Sequence, residues 1–244
     1  MKQTEQKPLW ISHRGYCDQF VENTTDSFDA AIQLGFNFLE TDLQVTKDGY
    51  LILCHDPNLK RLGGPETPVV QMTKRDIEQI SLHQDSKVLF FDDFMERYGT
   101  CRWIFDIKPY LGEKTIYSFN DWLTQNNYRE KIIQKAWFLF WNKKQENLLK
   151  NLLPGAVILE GENSCWRAGL SVILKMPFLG GIKKGKYYSL PAKIKNFHLF
   201  KKSIVAMYHK RGAKLIAFLP QSKEEALAAV QSGYDVVLTD KTMY

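Results

Sequence analysis

Residues 37–56 read NFLETDLQVTKDGYLILCHD, two apolar runs broken at Asp48-Gly49. Asp-Gly between such runs signals a hairpin with a two-residue loop in a primed turn. With Asp48 and Gly49 as that loop, Lys47 faces Tyr50 and Asp42 faces His55. Directly opposed residues of an antiparallel pair share one face, with Cβ atoms roughly 5 Å apart. Glu40 points the same way as Asp42, because strand side chains alternate. The stretch therefore predicts one cluster of Glu40, Asp42 and His55. Parallel neighbours need a crossover of roughly a dozen residues, so this short loop cannot join two of them. Tyr50–His55 is expected to run antiparallel at the top of strand 2, within an insertion spanning approximately residues 44–95.

Outward from the hairpin, short apolar runs alternate with helical segments, the pattern of a parallel sheet flanked by helices. Strands are expected at Leu9–His13, Asn37–Leu43, Arg102–Lys108, Ile132–Phe138, Ala156–Glu160, Ser171–Lys175, Lys214–Leu219 and Asp235–Thr239. Eight strands in 244 residues suit a single barrel domain over residues 1–244, since an α/β barrel takes about 250. A first helix is capped by Asn23 or Thr24, carries Phe28, Ala31 and Ile32 on one face, and stops at Gly35. Another, over Glu224–Val230, precedes Gly233 and the last strand.

A hydrophobic fraction of 44% and a charged fraction of 25% are those of an ordinary globule. There is no apolar run of the roughly 18 residues that a membrane span requires. The opening MKQTEQKPLWIS lacks the apolar core of a secretory signal. Cys17, Cys54, Cys101 and Cys165 are dispersed, which reads as reduced thiols in a cytoplasmic protein. The net charge is +6, yet Asn163–Lys223 contains no Asp or Glu and 13 Lys and Arg, so the remainder carries −7. That tract reads either as a solvated basic face or as a positive field that steers anionic substrates. Peripheral contact with an anionic membrane is a further expectation for its densest part, Lys183, Lys184 and Lys186. Nucleic acid is not an expected partner, since the tract has neither a recognition motif nor a nucleic-acid fold.

The chemistry-bearing residues gather at strand ends in the first half of the chain. His13 and His55 suit general acid and base roles, because the unperturbed imidazole pKa is about 6.5. Glu40, Asp42 and Asp106 are oxygen donors of the kind Mg²⁺ or Ca²⁺ prefers. Arg14 and Lys108 are fixed positive charges for a phosphate. The set suits cleavage of a phosphate ester beside one divalent cation. The same carboxylates also read as a group neutralised by Arg14 and Lys108 without metal, and the histidines as structural. Asn23 reads equally well as a helix cap, while Trp137, Trp141 and Trp166 read as packing or pocket wall. His83, His198 and His209 fall outside these motifs.

Taken in order, His13-Arg14-Gly15, Glu22-Asn23-Thr24, Phe28, Ala31, Gly35, Glu40-Thr41-Asp42, Thr46-Lys47-Asp48-Gly49 and His55-Asp56-Pro57 resemble the glycerophosphodiester phosphodiesterase family. Gly233–Asp240 is similar to that family's closing strand. The resemblance implies an α/β fold, a TIM-like (β/α)8 barrel with a small insertion after strand 2. It also implies divalent-metal dependence and hydrolysis of a small glycerophosphodiester to glycerol 3-phosphate and an alcohol. Two positions depart from the family pattern: Asp106-Ile107-Lys108 stands where Glu-x-Lys is usual, and Phe218 where a Trp is typical. Alternative readings are a lysophospholipase-D-like enzyme, with Phe178, Leu179, Tyr187 and Tyr188 near an acyl chain, or a non-catalytic head-group binder.

Overall fold

The computed structural model describes residues 7–244, and the opening stretch read for a secretory signal lies partly outside the described residues. Strand β1 (Leu9–His13) is shared by two compact units. One spans Ser12–Ile158, and the other joins the residues up to Ile11 to Leu159–Tyr244.

In the Ser12–Ile158 unit, α1 (Thr25–Gln33) leads to β2 (Phe38–Val45), β3 (Leu51–Leu53), α2 (Lys74–Glu78) and α3 (Phe91–Tyr98). There follow β4 (Arg102–Ile107), α4 (Gly112–Gln125), α5 (Arg129–Lys135), β5 (Ala136–Phe140), α6 (Lys143–Leu152) and β6 (Val157–Ile158). β2 pairs in parallel with β1 and β4, β4 with β5, and β5 with β6. Thr24 caps α1 in a reciprocal box with Ser27, and Phe28 and Ala31 bury its inner face. Along β4, Trp103, Phe105 and Ile107 alternate with Ile104 and Asp106. Phe105 meets Phe91, Phe119 and Phe138 at ring distances of 5.5, 5.7 and 5.9 Å. These tilted and edge-on contacts suit the ring quadrupole. They lock one face of β4, so the opposite face presents Asp106 from a fixed position.

The strand expected over Ile132–Phe138 begins only at Ala136, because Arg129–Lys135 is helical. β3 runs antiparallel to β2 as foreseen, but one residue out of the expected register: Leu43 pairs with Leu53 and Val45 with Leu51. The turn holds three residues, Lys47, Asp48 and Gly49, closed by Gly49 N–H on Thr46 O at 3.2 Å and Thr46 N–H on Tyr50 O at 2.8 Å. Gly49 sits at φ 96°, the left-handed position of a type I turn with a bulge. Asp48, itself exposed, accepts from Thr46 Oγ1 at 2.7 Å and from Lys74 N–H at 3.0 Å. A one-residue slip moves every side chain to the other face. Asp42 therefore opposes Cys54, whose N–H donates to Asp42 O at 3.1 Å, and His55 lies beyond the strand.

In the Leu159–Tyr244 unit, α7 (Glu162–Ile173) precedes β7 (Tyr187–Leu190), the small antiparallel pair β8 (Lys193–Ile194) and β9 (Phe197–His198), and α8 (Lys202–His209). β10 (Lys214–Phe218), α9 (Lys223–Ser232) and β11 (Val236–Thr239) complete it. β10 pairs in parallel with β7 and β11, and Leu9 N–H donates to Asp235 O at 2.9 Å. Buried Tyr188, Tyr208, Tyr234, Leu215 and Val237 form part of its core. The strand expected at Ser171–Lys175 is instead the end of α7, and Tyr187–Leu190 is the strand. Cys165, Ala168, Gly169 and Val172 are all buried, the spacing of a helix face. A short apolar run such as Ser171–Leu174 does not reveal its period alone. Cys17, Cys54, Cys101 and Cys165 are free.

Candidate active site

Three parallel strands bring the site together. His13 pairs with Glu40 across β1 and β2, and Asp42 with Asp106 across β2 and β4. β2 is buried along its whole length although it carries Glu40, Thr41, Asp42 and Gln44. Buried polar groups require partners: Thr41 meets Asn23, Asp42 meets Asn23, Arg14 and Lys108, and Gln44 Nε2 donates to the carbonyls of Cys54 and Asp56.

The turn after β1 is built by conformation as much as by contact. Arg14 and Asn23 both adopt left-handed backbone, at φ 56° and 58°. Gly15 follows at φ 88°, and a Cβ there would lie 2.4 Å from Ser27 Oγ, so only glycine fits. Arg14 N–H donates to Glu40 O at 3.0 Å, and Asn23 N–H to Arg14 O at 2.9 Å. Non-glycine residues in this region cost roughly 1 kcal/mol or more each. The strain aims two side chains at one carboxylate: Arg14 Nε lies 2.9 Å from Asp42 Oδ2, and Asn23 Nδ2 donates to the same oxygen at 2.9 Å. Thr41 Oγ1 fixes the Asn23 amide by donating to its Oδ1 at 2.7 Å. Because Thr24 caps α1, Asn23 is free to serve the site.

Lys108, 2% exposed, bridges Asp42 Oδ1 at 2.8 Å and Asp106 Oδ2 at 2.7 Å. Trp141 Nε1 donates to Asp106 Oδ1 at 2.9 Å, and the Lys108 ammonium lies 4.9 Å from the Trp141 ring centre. Burial alone would raise the Asp42 carboxyl, but Lys108 and Arg14 hold it down at about 2. Burial raises Asp106 above the usual carboxylate range, and the Asp42 charge adds to this against Lys108. Glu40 is pushed up to about 8 by burial, with His13 opposing the shift. Lys108 itself is raised, because two carboxylates outweigh its burial.

Glu40, Asp42 and Asp106 fit a divalent cation. They place one oxygen each within 4.8 Å of the others, all from buried residues. Two oxygens on a Ca²⁺ ion can stand no more than roughly 5 Å apart, and on Mg²⁺ roughly 4 Å. Glu40 Oε2 is buried without a hydrogen-bond partner and lies 3.8 Å from His13 Nε2. The aspartate oxygens already engaged by cations keep a second lone pair each. Asp106, although one methylene shorter than the usual family glutamate, is within this group.

His55 is not brought onto the carboxylates by strand pairing, as the sequence had suggested. Its Nδ1 meets Asp56 Oδ1 at 2.7 Å. Asp56 Oδ2 accepts from Arg61 Nε at 2.6 Å, and Arg61 grips Glu22 with two bonds of 2.7 and 2.9 Å. Glu22 in turn meets Arg14 at 3.2 Å, which returns the chain of charges to Asp42. Burial works against the Asp56 charge, but Arg61 and His55 lower its pKa overall. An ionised Asp56 only accepts, so His55 Nδ1 carries the proton. Cys54 holds the place foreseen for His55, its thiol pushed up to about 12 chiefly by burial. Sequence reading left Asn23, Trp141, Asp56 and Arg61 out of the site. The first and third lay inside the quoted motifs, whereas nothing in the spacing of Trp141 or Arg61 marks them.

Comparison with known proteins adds a family. A model described as the Glycerophosphoryl diester phosphodiesterase family matches residues 13–152. A glycerophosphodiester phosphodiesterase of Caldanaerobacter subterraneus is 24% identical, over 96% of this chain and 94% of that protein. The solved glycerophosphoryl diester phosphodiesterase domain of a Mycobacterium tuberculosis protein superposes with a TM-score of 0.79 at 15% identity, covering 96% of each chain. An Oleispira antarctica phosphodiesterase, solved with its product sn-glycerol-3-phosphate, gives 0.74 at 21% identity over 96% of this chain and 93% of that one. These likenesses show the fold, a TIM-like α/β barrel, as the resemblance implied.

Proposed function

The chain belongs to the glycerophosphoryl diester phosphodiesterase family, an enzyme class acting on glycerophosphodiesters, and from that premise we propose that His13 and His55 are its acid and base, around a divalent cation held by Glu40, Asp42 and Asp106. The observation that carries the proposal is the buried carboxylate group beside His13, flanked by two fixed cations. The bound ion would supply Lewis-acid polarisation of a phosphoryl oxygen.

The chain's own residues do the rest. Arg14 and Lys108 keep Asp42 ionised while adding positive charge that favours a phosphate. Asp56 holds the His55 proton on Nδ1, which leaves Nε2 to accept or deliver the proton of the reacting oxygen. His13, beside Glu40, supplies the second proton-transfer group. Trp141 and Asn23 fix Asp106 and Asp42, so neither carboxylate reorients as charge develops. Residues 44–95, approximately, form an insertion after strand 2 that delivers His55. The substrate is a small glycerophosphodiester, cleaved to glycerol 3-phosphate and an alcohol, in the cytoplasm.

A metal-screened assay of glycerophosphocholine, glycerophosphoethanolamine and lysophospholipids, detecting glycerol 3-phosphate, tests the reading. Release from the first two supports it. Turnover of lysophospholipids alone would move the chain to the lysophospholipase-D-like alternative, and no turnover with binding retained to the head-group binder.

A further inference from the structure

Six large apolar side chains stand exposed within fourteen residues of the Leu159–Tyr244 unit. Trp166, Leu170, Leu174, Met176, Phe178 and Leu179 are 43–69% exposed. The first three recur every four residues along α7 and its C-cap, and so form one stripe. The opposite face, with Cys165, Ala168 and Val172, is already buried in the core. A helix apolar on both faces belongs in an interior, yet this one keeps a face in water.

The turn Pro177–Gly180, which carries Phe178 and Leu179, is fastened to the same helix. Arg167 Nε donates to Gly180 O at 3.2 Å, and a Cβ on Gly180 would lie 2.2 Å from Ser171 Oγ. The turn is therefore held against the helix that carries the stripe. Around them the charge is mainly positive, with Glu162 accepting from Trp166 Nε1 at 3.3 Å and Glu160 standing 3.8 Å from Lys183. Arg167, Lys175, Lys183 and Lys184 are exposed, and beyond Glu162 no acid occurs before Glu224.

We propose that this ridge docks the protein on an anionic lipid bilayer, the apolar side chains entering the interface while the cations meet lipid phosphates. An exposed apolar face containing Trp and rimmed by Lys and Arg is the composition of interfacial helices. Cations near such a surface add attraction that fades with ionic strength. Among the described residues no helix is long and apolar enough to cross a membrane, so the contact is peripheral.

The test is co-sedimentation of the full chain with vesicles of equal parts phosphatidylcholine and phosphatidylglycerol, and with phosphatidylcholine alone. The protein is expected to pellet with the first and not the second. Leu174→Gln and Phe178→Ser, both at exposed positions and checked for unchanged circular dichroism, should each weaken partitioning ~10-fold or more. Lys183→Gln with Lys184→Gln should weaken it at low salt, with the difference shrinking at high salt. Wild-type protein remaining in the supernatant, or apolar variants pelleting like wild type, would overturn the proposal. So would a concentration-dependent dimer in light scattering that Phe178→Ser dissolves without any vesicle binding, since a second copy would then cover the ridge.

Discussion

In the Ser12–Ile158 unit three carboxylates and Lys108 are buried against one another with Arg14 partly exposed beside them, whereas in the Leu159–Tyr244 unit an acid-free tract turns its cations to solvent. Burial leaves a charge no choice of partner. Asp42 is wholly buried and is met by Lys108, Arg14 and Asn23 within 2.9 Å. Lys183, by contrast, is mostly exposed and meets Glu160 only at 3.8 Å. Removing a partner should therefore be costly in the first region and nearly silent in the second.

The largest expected effect follows from that contrast. Lys108→Met leaves Asp42 and Asp106 buried without their shared cation and should cost about 3–5 kcal/mol in metal-free protein by chemical denaturation. Added Ca²⁺ or Mg²⁺ should recover part of the loss. A loss no larger than that of Lys183→Gln would erase the distinction between the regions.

Next in size is catalysis. His13→Ala or His55→Ala should lower turnover by roughly 10² or more with the fold intact. Near-wild-type turnover in a folded His13→Ala enzyme would remove the acid–base assignment. Asp106→Glu should bring a smaller change of opposite sign: tolerated activity or tighter metal binding by calorimetry, because it restores the family's longer arm. Weaker binding would show that the site is built around the shorter residue.

How far the sequence revealed these regions follows the same division. In the Ser12–Ile158 unit Glu40 and Asp42 were legible because strand alternation puts them on one face, and Asp106 and Lys108 because they stand where the family has Glu-x-Lys. The hairpin register was not, because Asp48 bonds to Thr46 and Lys74, contacts that sequence spacing does not display. The slip displaced His55 from the strand and handed its alignment to Asp56, Arg61 and Glu22. In the Leu159–Tyr244 unit, α7 is apolar on two faces, so its end imitated a strand. The true strand, Tyr187–Leu190, follows a lysine cluster and lacks a long apolar run.

A surface pair sets the lower end of the scale. Asp29 accepts from Arg97 Nε at 2.8 Å and from Tyr98 at 2.8 Å, and its pKa is lowered chiefly by the Arg97 hydrogen bond. A depressed carboxylate stabilises the fold above its unfolded pKa, about 3.9, and loses that contribution as the pH falls through its folded value. Asp29→Asn should therefore cost little at neutral pH, since solvent screens the pair. The cost should disappear in acid. A penalty as large as that of Lys108→Met would mean that exposure does not govern these energies.

In the proposed function the buried carboxylates of β2 and β4 hold the metal on which hydrolysis depends. Glycerol 3-phosphate release from glycerophosphocholine should vanish after exhaustive chelation and return on adding Mg²⁺ or Ca²⁺. It should not return in a folded Glu40→Gln protein. Full release from the chelated wild-type protein would show that hydrolysis needs no metal at Glu40, Asp42 and Asp106.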